Sequence, residues 1–398
     1  MTKRKSTTRS MPAMKVVAGQ PSWRLANADV EVFVSRVGGQ TAPATFYRGR
    51  GDIRPYSVAP WAREPRGSLP GILHALRGDF FCMPFGGNAT PYRGERHLIH
   101  GEPAGAPWSL VSCSRSGDRT TLHLRLETKV RPGRVDKRVT LVDGHPALYL
   151  RHDVTRMRGP ICYGHHAMLK FPDEPGSGIV STSPFVHGQV FPDAFERPNQ
   201  YGYQSLRPGA SFDTLCRVPA IDGSLADLSR YPARRGYEDL VMLVNDETQP
   251  LAWTAVTFPG EGYVWFSLKN PLHLAGTILW ISNGGRHYPP WSGRHVNVMG
   301  LEDVTAYFHY GLAESAGKNP FRERGFRTCL EMRPDRPLVI PYIMAVARIP
   351  RGFDRVMAVE DLRAEGRVAL YSTSGAEVTV PLDTAFLDCD ARCRDDAG

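Results

Sequence analysis

The sequence is notable first for the motifs that it lacks. It has no apolar run of about 18 residues, so it predicts no membrane-spanning segment. It also lacks the HExxH and CxxC spacings of zinc sites, a GxSxG motif, a P-loop, and a GxGxxG turn between a strand and a helix. These absences argue against the usual metalloenzyme, hydrolase, NTPase and dinucleotide-binding classes, and we expect neither a metal nor a cofactor.

The cysteines and the N-terminus indicate in which cellular compartment the protein is expected. The seven cysteines are odd in number, scattered, and mostly inside apolar segments, which is typical of reduced thiols and predicts a cytoplasmic protein. Cys389 and Cys393 have no second pair nearby and predict no metal site. Residues 1–13 are basic but precede no apolar core, so they predict a disordered tail rather than a secretory signal.

The net charge of +9 does not form a basic stripe, because arginine is mixed with aspartate and glutamate along the whole chain. This distribution argues against nucleic-acid binding. An anionic sugar, carrying a phosphate or a carboxylate, would be a better match for the surplus charge. The sequence leaves open whether the protein is a monomer or a homodimer.

The composition favours strands joined by turns. With 39 Gly, 33 Pro and 41% hydrophobic residues, the chain has few segments rich in helix formers. Residues 108–115, 120–130, 134–142 and 147–157 are successive strand patterns separated by turn signals. We predict an all-β fold, a large antiparallel β-sandwich of about eighteen strands with few short helices. It should form one domain over residues 14–385, followed by a flexible tail over 386–398.

Three stretches give weaker signals. Residues 173–219 are rich in proline and glycine and predict an excursion, or a lid, over one end of the sheet. Residues 223–235 fit a short helix or a loop, and residues 312–325 fit one short helix with its loop.

The densest set of polar and aromatic residues lies in residues 280–311. An apolar strand leads into a loop that contains Asn283, Arg286, His287 and Trp291, and a second strand delivers Glu302. Aromatic rings stack on the apolar faces of sugars, while arginine and carboxylate groups bind their hydroxyls. The loop therefore indicates a polar, ring-shaped ligand.

Possible acid–base groups occur at predicted strand ends. They form three clusters: His97 and His100 with Glu102, His165 with His166, and Glu302 with Asp303. Histidine can donate a proton near pH 7, and a glutamate held near arginine and tryptophan can accept one. These clusters predict acid–base chemistry without a cofactor.

The order of three short motifs adds a resemblance. The motifs are His100-Gly101 followed by Trp108, then Gly164-His165-His166, then Gly300-Leu301-Glu302. Over roughly residues 25–350 the chain resembles the galactose mutarotase-like superfamily, which includes aldose 1-epimerases and hexose-6-phosphate 1-epimerases. The resemblance implies a supersandwich of antiparallel sheets with the sugar in an open cleft.

The resemblance also implies roles for individual residues. Glu302 would take the proton of the anomeric hydroxyl, and His166 would give a proton to the ring oxygen, with His165 as the competing choice. His100 would be the second histidine, binding the sugar or sharing the work of the acid. We expect Glu302 and His166 to face each other across a gap the size of a pyranose.

The remaining candidates would bind the sugar's hydroxyls or its ring face. They are Arg77, Asp79, Asn88, Trp108, His165, Asn283, Arg286, His287 and Trp291. Two alternatives stay open: a carbohydrate-binding protein without catalysis, and a sugar lyase or hydrolase with paired carboxylates about 5–9 Å apart. For that pair the sequence offers Glu302, Asp303 and Glu102.

Overall fold

A computed structural model describes residues 7–65 and 67–388 of the chain. It is built almost entirely of strands, as the turn-rich sequence predicts. In chain order the strands are β1 Thr7–Ser10, β2 Lys15–Val17, β3 Gln20–Ala26, β4 Val30–Ser35, β5 Thr41–Phe46, β6 Phe81–Cys82, β7 Ser109–Ser116, β8 Arg119–Thr128, β9 Gly133–Val142, β10 Ala147–Thr155, β11 Gly159–Ile161, β12 Tyr163–His165, β13 Ala167–Lys170, β14 Gly178–Thr182, β15 Phe185–Val190, β16 Ser211–Phe212, β17 Val218–Pro219, β18 Leu225–Ala226, β19 Arg230–Tyr231, β20 Tyr237–Asn245, β21 Ala252–Phe258, β22 Tyr263–Lys269, β23 Gly276–Asn283, β24 Val298–Thr305, β25 Leu330–Met332, β26 Leu338–Arg348, β27 Val356–Leu362, β28 Arg367–Ser372 and β29 Glu377–Pro381.

Helices are few and short. They are α1 Gly71–Ala75, α2 Gly101–Gly105, α3 Leu312–Ala316 and α4 Pro320–Glu323, with 3₁₀ turns at Pro198–Gln200, Arg363–Glu365 and Thr384–Leu387. None of the helices in the described part of the chain is long and apolar enough to span a bilayer.

Two large antiparallel sheets form the sandwich. The ten-stranded sheet has the order β1-β7-β8-β9-β10-β26-β22-β21-β14-β19. The eight-stranded sheet has the order β16-β15-β20-β23-β24-β12-β6, and β13 also pairs with β24. These two sheets contain eighteen strands, and four smaller sheets hold eleven more, so the described chain has 29 strands where about eighteen were predicted. The predicted antiparallel sandwich is therefore confirmed.

The central strands of the ten-stranded sheet are buried on both faces. Because side chains alternate along a strand, Leu148 and Leu150 of β10 face the core between the large sheets, whereas Tyr149 faces outward. On that outward side the small sheet β27-β28-β29 supplies Val368, Leu370 and other apolar side chains as a second core.

Both predicted tails contain ordered structure. Strand β1 pairs with β7, so part of the tail predicted over residues 1–13 belongs to the ten-stranded sheet. At the other end Leu387 is buried in the second core, two residues beyond the predicted domain limit. Residues 1–6 and 389–398, with the cysteines 389 and 393, lie outside the described residues. The single-domain organisation stays a prediction.

The weakly signalled stretches also differ from expectation. Residues 173–219 contribute β14 and β15 to the two large sheets, and residues 223–235 contain β18 and β19 rather than a helix. Residues 312–325 hold two helices where one was expected. Glycine and proline hide these short strands, because each weakens the strand pattern without preventing pairing at a sheet edge.

Candidate functional site

Strand β24 places two neighbouring carboxylates on opposite faces of the eight-stranded sheet. Asp303 faces the sandwich interior, where it pairs with Lys269 of the ten-stranded sheet and accepts hydrogen bonds from Tyr342 (2.7 Å) and Ser267 (2.8 Å). Because side chains alternate, Glu302 points to the other face. There Gly300 leaves room for it, since a Cβ at that position would lie 2.8 Å from Glu302 Oε1.

The two neighbouring histidines are separated by the same alternation. Strands β12 and β13 pair with β24 in one register, Gly164 opposite Val304 and Ala167 opposite Leu301. His165 therefore lies opposite Asp303, and His166 lies opposite Glu302. His165 stacks on Tyr342 with ring centroids 4.1 Å apart, so it belongs to the interior. Of the two histidines, His166 is the one on the pocket face.

A pocket of about 470 Å³, including its solvent-facing mouth, lies on the face that carries Glu302 and His166. The pocket is lined by Ile72, Leu73, Leu76, Phe80, Ile99, His100, His166, Phe195, Leu240, Trp280, Arg286, Trp291, Glu302 and His309. It thus combines one carboxylate, one guanidinium and three imidazoles with mostly apolar walls.

Glu302 and His166 touch each other directly, with Glu302 Oε1 3.1 Å from His166 Nε2. The expected gap between them is therefore wrong: the two groups stand side by side. Glu302 Oε2 and His166 Nδ1 are buried and have no hydrogen-bond partner among the described residues. Burial raises the pKa of Glu302 well above its usual range, only partly offset by Arg286, and burial lowers the pKa of His166 to about 3.

His100 reaches the same pocket from a tight turn. His100 and Gly101 both have a positive φ, and a Cβ on Gly101 would collide with the carbonyl of Met83, which explains the His-Gly pair. The backbone N–H of Gly86 lies 3.4 Å from His100 Nδ1, an arrangement that leaves Nε2 to carry the proton. Burial, and then the neighbouring His309, keep the pKa of His100 well below its usual value.

His309 completes a row of three imidazoles. Its ring lies 4.8 Å from that of His100, which lies 5.1 Å from that of His166. Burial lowers the pKa of His309 to about 4. All three rings are therefore neutral near pH 7 and can each donate one hydrogen bond.

Arg286 and two tryptophans form the opposite wall. The guanidinium of Arg286 lies over Trp291 (4.6 Å to the ring centroid) and Trp280 (5.4 Å), and its Nε donates a 2.6 Å hydrogen bond to Glu196. Burial by itself lowers the pKa of Arg286, but Glu238 and Glu196 outweigh it and raise the pKa. Arg286 is thus a cation whose position is fixed by its contacts with Glu196 and the two tryptophans.

Glu238 supports this wall from behind. It accepts hydrogen bonds from Trp280 Nε1 (2.9 Å) and Ser282 Oγ (2.8 Å), and Ser282 also contacts His295 Nδ1 at 2.6 Å. Burial raises the pKa of Glu238 to about 7 despite the opposing effect of Arg286. The chain of contacts fixes the orientation of Trp280 beside Glu302.

Four polar or aromatic candidates for sugar binding have structural partners instead. Arg77 donates to the carbonyls of three residues, Ala75, Val17 and Ala18, at 2.7–2.9 Å. The Nδ2 of Asn88 donates to three backbone carbonyls, and the Nε1 of Trp108 donates to Pro103. Asp79 accepts from His165 and from a backbone N–H. None of the four lines the pocket.

Two candidates from the aromatic loop also lie outside the lining. Asn283 donates to the carbonyl of Ala233 and accepts from the backbone N–H of Asn297, so it shapes the loop. His287 is exposed and its ring lies against Tyr203. Of the predicted site residues, the structure brings together Glu302, His166, His100, Arg286 and Trp291.

Sequence reasoning missed several residues of the site. His309, Phe195 and the α1 side chains Ile72, Leu73 and Leu76 were not predicted. His309 follows an aromatic run directly after β24, which was the available signal. The segment containing Phe195 has no strand pattern, and its place depends on the pairing of Glu196 with Arg286. In the described chain, no group of three or more His, Cys, Asp or Glu side chains is arranged to hold a metal ion.

Comparisons with known proteins identify the fold. No protein-family model matches the sequence, and no curated protein matches it. Among solved structures, a candidate aldose 1-epimerase from Klebsiella pneumoniae is similar with a TM-score of 0.59 at 13% identity, over 88% of this chain and 89% of that one. A candidate aldose 1-epimerase from Escherichia coli gives 0.56 at 16% identity, over 83% and 100%.

A galactose mutarotase related enzyme from Lactobacillus acidophilus is similar as well, with a TM-score of 0.53 at 12% identity, over 83% of this chain and 99% of that one. Identities this low show the fold alone. The chain therefore has the galactose mutarotase-like fold, as the order of its motifs suggested.

Proposed function

We propose that this protein is an aldose 1-epimerase-like isomerase, which interconverts the anomers of a sugar by acid–base opening of the ring. The observation that carries the proposal is the contact between Glu302 and His166 at the floor of a pocket. A carboxyl and an imidazole with oppositely shifted pKa values form a usable acid–base pair.

The side-by-side arrangement is compatible with this reaction. The anomeric hydroxyl and the ring oxygen are bonded to the same carbon, so the groups that exchange protons with them can be neighbours. At a separation of 3.1 Å, Glu302 Oε1 and His166 Nε2 can each reach one of the two oxygens.

The directions of the pKa shifts favour the uncharged forms of both groups, a protonated Glu302 and a neutral His166. In the cycle that we propose, the pair starts in these forms and carries no net charge. A proton passes from Glu302 to His166 Nε2, and His166 gives it to the ring oxygen while Glu302 takes the proton of the anomeric hydroxyl. The bond between the anomeric carbon and the ring oxygen breaks, and the open-chain aldehyde forms. Closure on the other face reverses these steps.

Other pocket residues would hold the substrate during ring opening. His100 and His309 are neutral donors within reach of the aldehyde oxygen, which gains negative charge as the ring closes. Trp280 and Trp291 offer rings for stacking. The reaction moves only protons and needs no cofactor, and acid and base groups of this kind give ~10²–10⁴-fold each.

The test is a comparison of anomer exchange in the wild-type protein and in Glu302→Gln. Polarimetry on freshly dissolved sugars should show acceleration by the wild-type protein and none by the variant, while calorimetry shows sugar affinity within a few fold. Glu377→Gln is the matched control, because Glu377 is exposed on β29 of the outer sheet. Unchanged activity in Glu302→Gln would rule out this base.

A carbohydrate-binding protein without catalysis is the second candidate. It is favoured by the direct contact between Glu302 and His166, which partly satisfies both groups in the absence of a sugar. Sugar binding with no acceleration of anomer exchange would support it. The paired-carboxylate enzymes have less support: Asp303 lies on the other face, and Glu102 accepts from the backbone N–H groups of Lys129 and Val130.

A further inference from the structure

The hydrocarbon content of the pocket walls is high for a site that would bind a common aldohexose. Seven of the lining residues carry no polar side-chain atom: Ile72, Leu73, Leu76, Phe80, Ile99, Phe195 and Leu240. They come from α1, the loops around it, and strand β20. The ionisable groups are confined to the three histidines, Glu302 and Arg286.

Other polar side chains predicted to bind sugar hydroxyls already form hydrogen bonds with the backbone. The guanidinium of Arg77 is used by three backbone carbonyls, and the amide of Asn88 by three others. Asn283 is bonded to Ala233 and Asn297. Their partners are backbone groups of the fold, so ligand binding cannot recruit these side chains without breaking local structure.

The charge of the pocket is also balanced. Arg286 is the only cation in the lining, and its Nε is already bonded to Glu196. Glu238 lies close enough to contribute to the raised pKa of Arg286. A phosphate or a carboxylate would have to compete with these two carboxyl groups for one guanidinium. The sequence expectation of an anionic sugar therefore has no matching surplus charge here.

Each hydroxyl that a ligand buries against hydrocarbon loses its hydrogen bonds to water and gains none. The resulting loss of affinity is on the order of tenfold or more per unpaired hydroxyl. A methyl or methylene group in the same place is favoured by contact with the leucine and isoleucine side chains. The walls thus discriminate by the number of hydroxyls that a sugar carries.

We propose that the natural substrate is a neutral deoxyaldose, with a methyl or methylene group at one or more positions where a common aldohexose carries a hydroxyl. This inference rests on the proposed anomerase function for its reaction and on the pocket walls for its substrate class. The hemiacetal end of the sugar lies at Glu302 and His166, and the deoxygenated part lies against the hydrocarbon wall.

The experiment compares matched sugars on the wild-type protein. Two-dimensional exchange NMR gives the anomer exchange rate of D-galactose against 6-deoxy-D-galactose, D-glucose against 2-deoxy- and 6-deoxy-D-glucose, and D-glucose 6-phosphate. Each rate is corrected for the uncatalysed exchange of that sugar. We expect kcat/KM to be at least about 10-fold higher for a deoxy sugar than for its parent, and lowest for the phosphate. Calorimetry gives the affinities of the same set.

The outcomes separate this inference from the proposed function. Acceleration of the parent hexoses or of the phosphate equal to that of the deoxy sugars overturns the substrate class but leaves the isomerase in place. Tighter binding of deoxy sugars with no acceleration of any sugar overturns the isomerase and supports the substrate class. Equal or absent binding across the whole set, again without acceleration, overturns both.

A variant tests the wall directly. Leu73→Gln places an amide in the lining on the half-buried side of α1, where it can pair with a hydroxyl. The preference for a deoxy sugar over its parent should fall by at least about 3-fold. Leu98→Gln is the matched control, because Leu98 is 59% exposed beside Ile99 and outside the lining. An unchanged preference in folded Leu73→Gln would contradict the assignment of this wall.

Discussion

Two histidine–carboxylate pairs occupy opposite faces of the eight-stranded sheet, and they differ in how completely their atoms are paired. On the interior face Asp79 accepts from His165 Nδ1 at 3.0 Å and from the backbone N–H of His166 at 3.0 Å. On the pocket face Glu302 has one contact, with His166, and its second oxygen has no partner in the described chain. Both pairs are almost fully buried.

The pKa shifts of the two carboxyls run in opposite directions. Burial acts to raise both, but at Asp79 the charge and hydrogen bond of His165, together with Lys137, outweigh burial and lower the pKa. At Glu302 only Arg286 opposes burial, and the pKa is raised. The same kinds of group therefore give a hydrogen-bonded structural pair in one place and a candidate proton-transfer pair in the other, and the charges and hydrogen bonds around each carboxyl decide which.

The largest expected effect comes from exchanging each histidine for glutamine. His166→Gln should lower kcat/KM for anomer exchange by ~10²–10⁴-fold with little change in stability, because an amide cannot transfer the proton. His165→Gln should leave the activity of the folded protein within about 3-fold but lower its melting temperature, because Asp79 loses its imidazole hydrogen-bond partner. Exchange NMR and thermal unfolding on both variants measure the two effects. The reverse pattern would assign the acid to His165.

The ion pair between Lys269 and Asp303 is a second buried contact on the interior face, and it can be tested by mutation. Lys269→Met should destabilise the fold by roughly 3–5 kcal/mol, because it leaves Asp303 buried without its cation. The double variant Lys269→Met/Asp303→Leu should recover most of this loss, since the uncompensated charge is gone. Denaturant unfolding of the two proteins gives the values. A loss in the double variant as large as in the single one would assign the destabilisation to packing instead.

The pH dependence of stability should distinguish Glu302 from Asp79. Because the folded pKa of Glu302 is raised, its contribution is complete below the unfolded value near 4.5 and is lost as pH rises towards the folded pKa. Glu302→Gln should thus gain stability over the wild-type protein between pH 5 and 8, by as much as about 1.4 kcal/mol per unit of the pKa shift traversed.

Asp79→Asn should behave in the opposite way. The folded pKa of Asp79 is lowered, so its contribution is present above the usual value near 3.8 and is lost as pH falls through the folded pKa. Its destabilisation should be largest near neutral pH and should shrink in acid. Melting curves from pH 3 to 8 test both variants together, and parallel curves would contradict the comparison.

The smallest effect concerns the aromatic wall. Trp291→Ala should weaken sugar binding by about 2- to 10-fold, because one stacking surface is lost. His287→Ala is the control from the same loop, since His287 is exposed and does not line the pocket. Calorimetry measures both affinities. An intact affinity in Trp291→Ala would move the sugar away from this wall.

The sequence predicts the β-sandwich and several residues of the site. It does not predict which side chains line the pocket. Strict alternation in residues 121–128 and regular turn spacing predict strands, because these signals are local. The face on which a histidine lies depends on pairing with β24, where Glu302 is 136 positions away from His166 in sequence. For this reason His165 and His166 could not be separated from the sequence, and Arg77 and Asn88 looked free to bind a sugar although backbone carbonyls use their donors.

The position of strand β26 has a consequence for synthesis of the chain. Residues 338–348 lie between β10 and β22 in the ten-stranded sheet, and β27–β29 then cover the outer face. Until the ribosome has added these last segments, the two halves of that sheet have no common neighbour and their apolar edges stay open. We therefore expect an incompletely synthesised chain to expose these two edges to aggregation and to chaperone binding, and we expect long-range pairing to slow the step that joins them.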